Sequence, residues 1–279
     1  MKSLSLMLTL VALLSGGAHA SCSRAILSEV TSRYATAQSL AQPKYIRLLT
    51  PQTTYIENGL PQNISSSASI LSQRLKIDHV HSIHDTTACA AYTELIITDP
   101  KHYVIGTQIF LNPNGTEITK VDSFVTDSDD WLFNAQHTLY YTLQEHWLTI
   151  PEAERDSRET IQKAADAYLD LFKLGPGSVE VPWHESCKRL EGGLYTAPGD
   201  TCNNGVPTGV NLVNRRYVID ESVGTVSVFL NFGEGGLNDS HEFRIEGGRI
   251  RYVHTITVCK EFNCGFGDPP AELGKELPW

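Results

Sequence analysis

Apolar positions along the chain recur at two different periods, and each period occurs in both halves. In SRAILSEVTSRYATAQ, residues 23–38, the residues Ile26, Leu27, Val30 and Tyr34 share one helical face, with Ser23 placed to cap the helix. In SRETIQKAADAYLDLFK, residues 157–173, Ile161, Ala164, Ala165, Tyr168 and Leu171 do the same behind Ser157. Set over one another without a gap, the two segments align Ser-Arg with Ser-Arg and Tyr34 with Tyr168. Strand-like stretches repeat in the same order. IHDTTACAAY from Ile83 aligns with IDESVGTVSV from Ile219, each an acidic strand end, a turn of small residues and a β-rich run. EITKVDSFVT from Glu117 aligns with RIRYVHTITV from Arg249, after the turns Pro-Asn-Gly and Glu-Gly-Gly. Helix followed by antiparallel meander, twice, makes an α+β chain of two tandem units. The expected boundaries are 21–150 and 151–264, with a helix-bearing connector over 130–147 and a loose tail over 265–279.

The first twenty residues belong to neither unit. Lys2, the apolar run Leu6–Leu14 and Ala18-His19-Ala20 have the layout of a cleaved signal peptide, so an exported protein beginning at Ser21 is expected. No stretch is long and apolar enough to read as a membrane span. The six cysteines, Cys22, Cys89, Cys187, Cys202, Cys259 and Cys264, fit an oxidising compartment. They allow fifteen pairings; Cys22–Cys89, Cys187–Cys202 and Cys259–Cys264 is preferred because it keeps each bridge within one structural unit. Asn63, Asn114 and Asn238 head glycosylation sequons. With 32 acidic against 22 basic residues, nucleic acid is a poor partner.

A helix packed on a curved sheet in a unit of this size resembles the nuclear transport factor 2-like superfamily, the cone of ketosteroid isomerases, SnoaL-like cyclases and scytalone dehydratase. The segments IHDTTACAAYTELI, DWLFNA, RDSRETIQKAADAYLDLF, RLEGGLYT, RRYVIDESVG and DSHEFRIEGGRIRYVHTITVC are also similar to fungal secreted proteins carrying an uncharacterised domain. The resemblance implies two cone-shaped units and a pocket, and fold alone names no reaction. Its leading implication is a cofactor-independent isomerase, cyclase or lyase acting on a small oxygenated metabolite, for example a dimerising cyclase of fungal secondary metabolism. The alternative is a non-catalytic ligand-binding module or effector.

The last strand offers the first candidates. Ile250, Tyr252, His254, Ile256 and Val258 alternate onto one face, and the repeat sets His254 over Asp122, with Ile118 and Phe124 on the matching face. A base desolvated on a pocket wall suits proton transfer, with Tyr252 or an arginine stabilising an oxyanion. His84 and Asp85 close the dense stretch DHVHSIHD, and the repeat sets Asp220 and Glu221 over them. An Asx cap by Asp85 is the plainer role there. Substrate-binding candidates are Arg189, Glu191, Arg216, His241 and Arg251; surface ion pairs with Glu191, Glu242 and Glu246 are the plainer role for the arginines. His79 and His81 share a strand face and could form half of a metal site, but no third ligand is evident, and no metal is expected. No nucleotide, flavin or haem signature occurs, so the chemistry is expected to be cofactor-free.

Overall fold

A computed structural model describes residues 22–195, 202, 206–233 and 236–277. The expected signal segment and Ser21 lie outside the described residues.

Both helices form as their patterns dictate. α1 (Arg24–Leu40) and α3 (Arg158–Leu174) are capped by Ser23 and Ser157, whose side chains accept from the N–H of Ile26 and Thr160. α1 buries Leu27, Val30, Tyr34 and Ala37; α3 buries Ile161, Ala165, Tyr168, Leu169 and Phe172. Each large apolar side chain so buried contributes roughly 1.5–3 kcal/mol.

The first sheet runs in the order β2 (Leu60–Gln62), β1 (Thr54–Glu57), β6 (Ile118–Thr126), β5 (Tyr103–Leu111), β4 (Ala90–Ile97), β3 (His79–Asp85). The second repeats it as β8 (Leu194–Tyr195), β7 (Trp183–Glu191), β12 (Arg249–Val258), β11 (Leu237–Glu246), β10 (Thr225–Phe232), β9 (Leu212–Asp220). The four-strand meanders are antiparallel as expected, and each sheet adds one parallel pairing, β1 with β6 and β7 with β12. The outer face of each sheet packs on its helix. The inner faces pack on each other through a third core containing Tyr92, Phe124, Phe229 and Ile256, where Phe124 and Phe229 stack at 4.1 Å. The result is four layers, helix, sheet, sheet, helix.

Double coverage explains why alternation is weak in β4, which is buried at every position. It also corrects one expected face. β12 is irregular between Ile250 and Tyr252, as β6 is between Ile118 and Lys120. The extra residue moves Ile118 and Ile250 onto the helix side, while Asp122, Phe124, Tyr252, His254 and Ile256 look toward the opposite sheet.

The units are tied by a reciprocal clamp. Arg158 at the start of α3 grips Asp85 at the end of β3 through two bonds of 2.7 Å. Arg24 at the start of α1 grips Asp220 at the end of β9. Each carboxylate also takes a backbone N–H from the other unit: Asp85 from Ile219 and Asp220 from His84, both at 2.9 Å. Asp85 pairs with Ala90 and Asp220 with Thr225, so these aspartates are true equivalents, and the sequence alignment that set Asp85 over Glu221 is one residue out.

The connector carries α2 (Ala135–Thr142) and hooks over the β7–β8 turn, where the Gly193 N–H donates to Leu132 O at 2.8 Å. The tail is docked rather than loose: Leu273 is buried, and Leu273 O and Lys275 O contact Asn134 and His137 of α2. Cys22–Cys89, Cys187–Cys202 and Cys259–Cys264 are bridged, in the preferred arrangement. Three disulfides fit an oxidising environment, and no helix among the described residues is long and apolar enough to cross a membrane. Asn63 and Asn114 are exposed, whereas Asn238 is half-buried in β11, its amide against the Gly59 turn.

Candidate functional site

Between α3 and the second sheet lies a cavity of about 510 Å³, within the range of small-molecule sites. Phe172, Val210, Phe232 and Leu237 form apolar walls, Trp131 and Phe266 meet edge-to-face at 5.1 Å, and Asp239, His241, Glu191, Thr255 and Thr257 supply the polar lining.

His241 and Asp239 alternate on β11, so both point to the helix side. Both are buried, and Asp239 Oδ2 stands 3.1 Å from His241 Nδ1. Asp239 Oδ1 accepts from Thr257 Oγ1 at 2.9 Å. Rings hold the imidazole on several sides: Phe243 stacks at 5.8 Å, with Tyr168 and Phe172 at 5.6 and 5.9 Å. Neither nitrogen of His241 has a hydrogen-bond partner among the described residues, nor does Asp239 Oδ2, which meets Nδ1 as an ion-pair contact only. Next to them, the Arg189 guanidinium lies 3.2 Å from Glu191 and donates to Cys202 O. Burial holds the Tyr168 phenol well above its ordinary range, with Arg189 opposing, so it is a neutral donor.

The first unit closes the same place. Thr107 pairs with Ser123 across the first sheet as His241 pairs with Thr255 across the second, so Thr107 stands where the second unit has its imidazole. There the Tyr34 hydroxyl and Thr107 Oγ1 share a hydrogen bond of 2.7 Å. Tyr55 and Glu57 occupy the places of Arg189 and Glu191, and Glu57 accepts from the Ile70 N–H at 2.9 Å. Ile70, Leu71 and Leu75 are buried in the core under α1. The open cavity thus belongs to the second unit.

Of the residues singled out in the sequence, Glu191 and His241 line this cavity and Arg189 flanks it. The others lie elsewhere. Arg216 is 3.5 Å from Asp122 and over Phe229, and Arg251 covers Tyr252. Asp122 also accepts from Lys120 at 3.0 Å. Glu221 accepts from the Arg158 N–H at the start of α3. Asp85 does cap its turn, taking the N–H groups of Thr87 and Ala88, besides holding Arg158. His84 faces α1, 3.1 Å from Thr31 Oγ1; burial and then Arg24 push its imidazole down to about 4. Asp122, Tyr252 and His254 lie outside this cavity, on strand faces that meet the other sheet.

His254 belongs instead to a buried polar cluster between the sheets. Its Nε2 is 2.6 Å from Glu145 of the connector and its Nδ1 is 4.0 Å from Glu94 of β4. Glu242 of β11 is buried beside it and 3.1 Å from His81 Nε2, which corrects the expectation of a surface glutamate. Trp147 rests on His81 and His254, its ring centroid 5.0 and 5.1 Å from theirs. Burial pulls His254 down, but the carboxylates, Glu145 foremost, more than reverse this and lift it to about 9. Burial raises Glu94 to about 7, Glu242 adding and His254 opposing.

Sequence reasoning passed over Asp239, Glu94, Glu145 and Trp147. Glu94 had a readable signal: one carboxylate inside the apolar run AAYTELII. Asp239, in the polar run LNDSH, had none.

Residues 154–257 match a family described as "Domain of unknown function (DUF8021)". No curated protein matches the chain. An NTF2-like protein of unknown function from Shewanella baltica OS155 is 11% identical over 37% of this chain and 94% of its own, with a TM-score of 0.29. An NTF2-like protein from Bacteroides fragilis NCTC 9343 is 9% identical over 87% of this chain and 98% of its own, with a TM-score of 0.21.

Proposed function

We propose that the second unit receives a small, largely apolar molecule bearing a carbonyl or enol oxygen, and that His241 moves a proton on it. The observation that carries this reading is the buried His241–Asp239 pair on the wall of a largely apolar cavity. Asp239 Oδ2 stands 3.1 Å from Nδ1, and swinging into line with it would fix a proton there and leave Nε2 as the base. Tyr168, its ring 5.6 Å from that of His241, and Arg189, paired with Glu191 of the cavity wall, are the neighbouring donors that a small side-chain movement would bring to a developing oxyanion. Isomerisation, cyclisation and elimination all begin with such a proton transfer, so the class is a cofactor-independent isomerase, cyclase or lyase. The apolar majority of the walls favours a second reading, a carrier that binds without turnover.

Deuterium exchange at the α-carbon of cyclic ketones, followed by NMR in D₂O, separates the two. The wild type is expected to exchange a bound ketone, and His241→Gln to lose about 10²- to 10⁴-fold in rate at unchanged melting temperature. A ketone that binds equally well and exchanges equally slowly in both proteins refutes the catalytic reading and leaves the carrier.

A further inference from the structure

The cluster between the sheets has more polar capacity than its neighbours satisfy. Glu94, Glu242 and His254 are all nearly fully buried, and one donor atom from each lies within 4.8 Å of the other two. Glu94 Oε1, Glu242 Oε2 and His254 Nδ1 have no hydrogen-bond partner among the described residues. An unmet buried carboxylate oxygen or imidazole nitrogen costs about 1–3 kcal/mol, and three at one point call for a shared occupant.

The outward sides of the same residues are already held. His254 Nε2 is fixed by Glu145 at 2.6 Å, and Glu242 Oε1 by His81 at 3.1 Å. Glu145 in turn accepts from Trp147 Nε1 at 3.1 Å. A carboxylate holding the far nitrogen of a ligating histidine is the outer-shell arrangement of metal sites. It sets the tautomer and leaves Nδ1 free to coordinate.

We propose that Glu94, Glu242 and His254 bind one divalent transition-metal cation between the two units. Two carboxylates and an imidazole suit Zn²⁺, Mn²⁺ or Co²⁺ and supply too few oxygens for Ca²⁺. Bonds of about 2.1 Å place tetrahedral donors about 3.4 Å apart. The donor separations, 4.0 Å for His254–Glu94 and within 4.8 Å for all three, therefore need to close by no more than about 1.4 Å. The fourth position falls to water. Glu94 comes from β4 of the first unit, Glu242 and His254 from β11 and β12 of the second, so the ion would staple the units. Half-buried Trp147 covers the cluster and marks the side from which an ion reaches it.

The test uses the full disulfide-bonded protein, purified without chelator for elemental analysis. It is then stripped with a chelator and titrated with Zn²⁺ by calorimetry and with Co²⁺ by visible absorption. One equivalent is expected, with tetrahedral Co²⁺ bands, quenching of tryptophan fluorescence by Co²⁺, and a melting temperature that rises with Zn²⁺. Glu94→Gln and Glu242→Gln keep the shape and should each weaken binding at least tenfold, and His254→Gln should abolish it. His81→Gln, which touches only an outer oxygen, should weaken it about 10- to 100-fold. His241→Gln, in the cavity, should bind as the wild type does. Failure of the stripped wild type to bind either metal overturns the proposal. So does binding unaltered in folded Glu94→Gln and Glu242→Gln; should one of these not fold, the other decides.

Discussion

Asp85 is the residue whose loss the fold should feel most. Its carboxylate is fully buried and receives five donors: two from Arg158 at 2.7 Å, and the N–H groups of Thr87, Ala88 and Ile219 at 3.1, 2.8 and 2.9 Å. Asp85→Asn keeps the shape but replaces one acceptor oxygen by a donor that must face Arg158 or the Ile219 N–H. It also leaves the Arg158 guanidinium, about one-third exposed, without its counter-charge. Breaking a buried pair of this kind costs about 3–5 kcal/mol. For a chain of this length each kcal/mol lowers the melting temperature by about 2–4 °C, so a fall of roughly 6–20 °C is expected. Asp220→Asn breaks the matching clamp, but Arg24 is more exposed, at 45% against 30%, so its cost should be smaller. Calorimetry under non-reducing conditions, with rescans to check reversibility, measures both. A double-mutant cycle of Asp85→Asn with Arg158→Met isolates the pair, with a coupling of about 1–3 kcal/mol expected. An Asp85→Asn protein melting within 2 °C of wild type, or a cycle that is additive, would refute the reasoning.

Two further outcomes follow from local features. His84 is held neutral by burial and Arg24, its folded value of about 4 lying below the unfolded one. Its stabilising contribution is present above about pH 6.5 and is lost as pH falls toward 4; urea midpoints of His84→Gln should therefore vary less with pH across that window than those of wild type. Gly192 turns at φ +54° and a Cβ there would stand 2.5 Å from Trp131 O and 2.7 Å from Leu132 O, so Gly192→Ala should unseat the connector, lower the melting temperature by several degrees and increase proteolysis over residues 127–134.

Local chemistry was legible in the sequence; the partner of each surface was not. Ser23 and Ser157 announce their helices because a cap works on its own next turns. The alternation in β12 gives the set Tyr252, His254, Ile256 and Val258, but period two does not say which layer a face meets. With helix on one side of the sheet and a second sheet on the other, both faces are buried and look alike. Ile118 and Ile250 were misassigned because a single extra residue inverts the alternation beyond it, and that residue has no signature of its own. His241 could be named as a polar residue of the second half, while its relation to Asp239 depended on knowing which side of β11 faces α3. Glu145 and Trp147 enter the cluster from a connector whose path depends on the Gly192 turn, far from them in sequence.

The reciprocal clamp says what this chain amounts to. Copying either unit about the axis that exchanges Arg24–Asp220 with Arg158–Asp85 regenerates the contact, which is the rule of an isologous homodimer. The chain is such a dimer written into one polypeptide. Tethering keeps the partner always at hand, so pairing no longer depends on protein concentration. It also releases the copies from identity: a true homodimer must carry Thr107 twice or His241 twice, and this one carries each once. A division of labour follows from that freedom: the place the first unit fills with Tyr34 and Thr107 is kept in the second for His241, on the cavity wall.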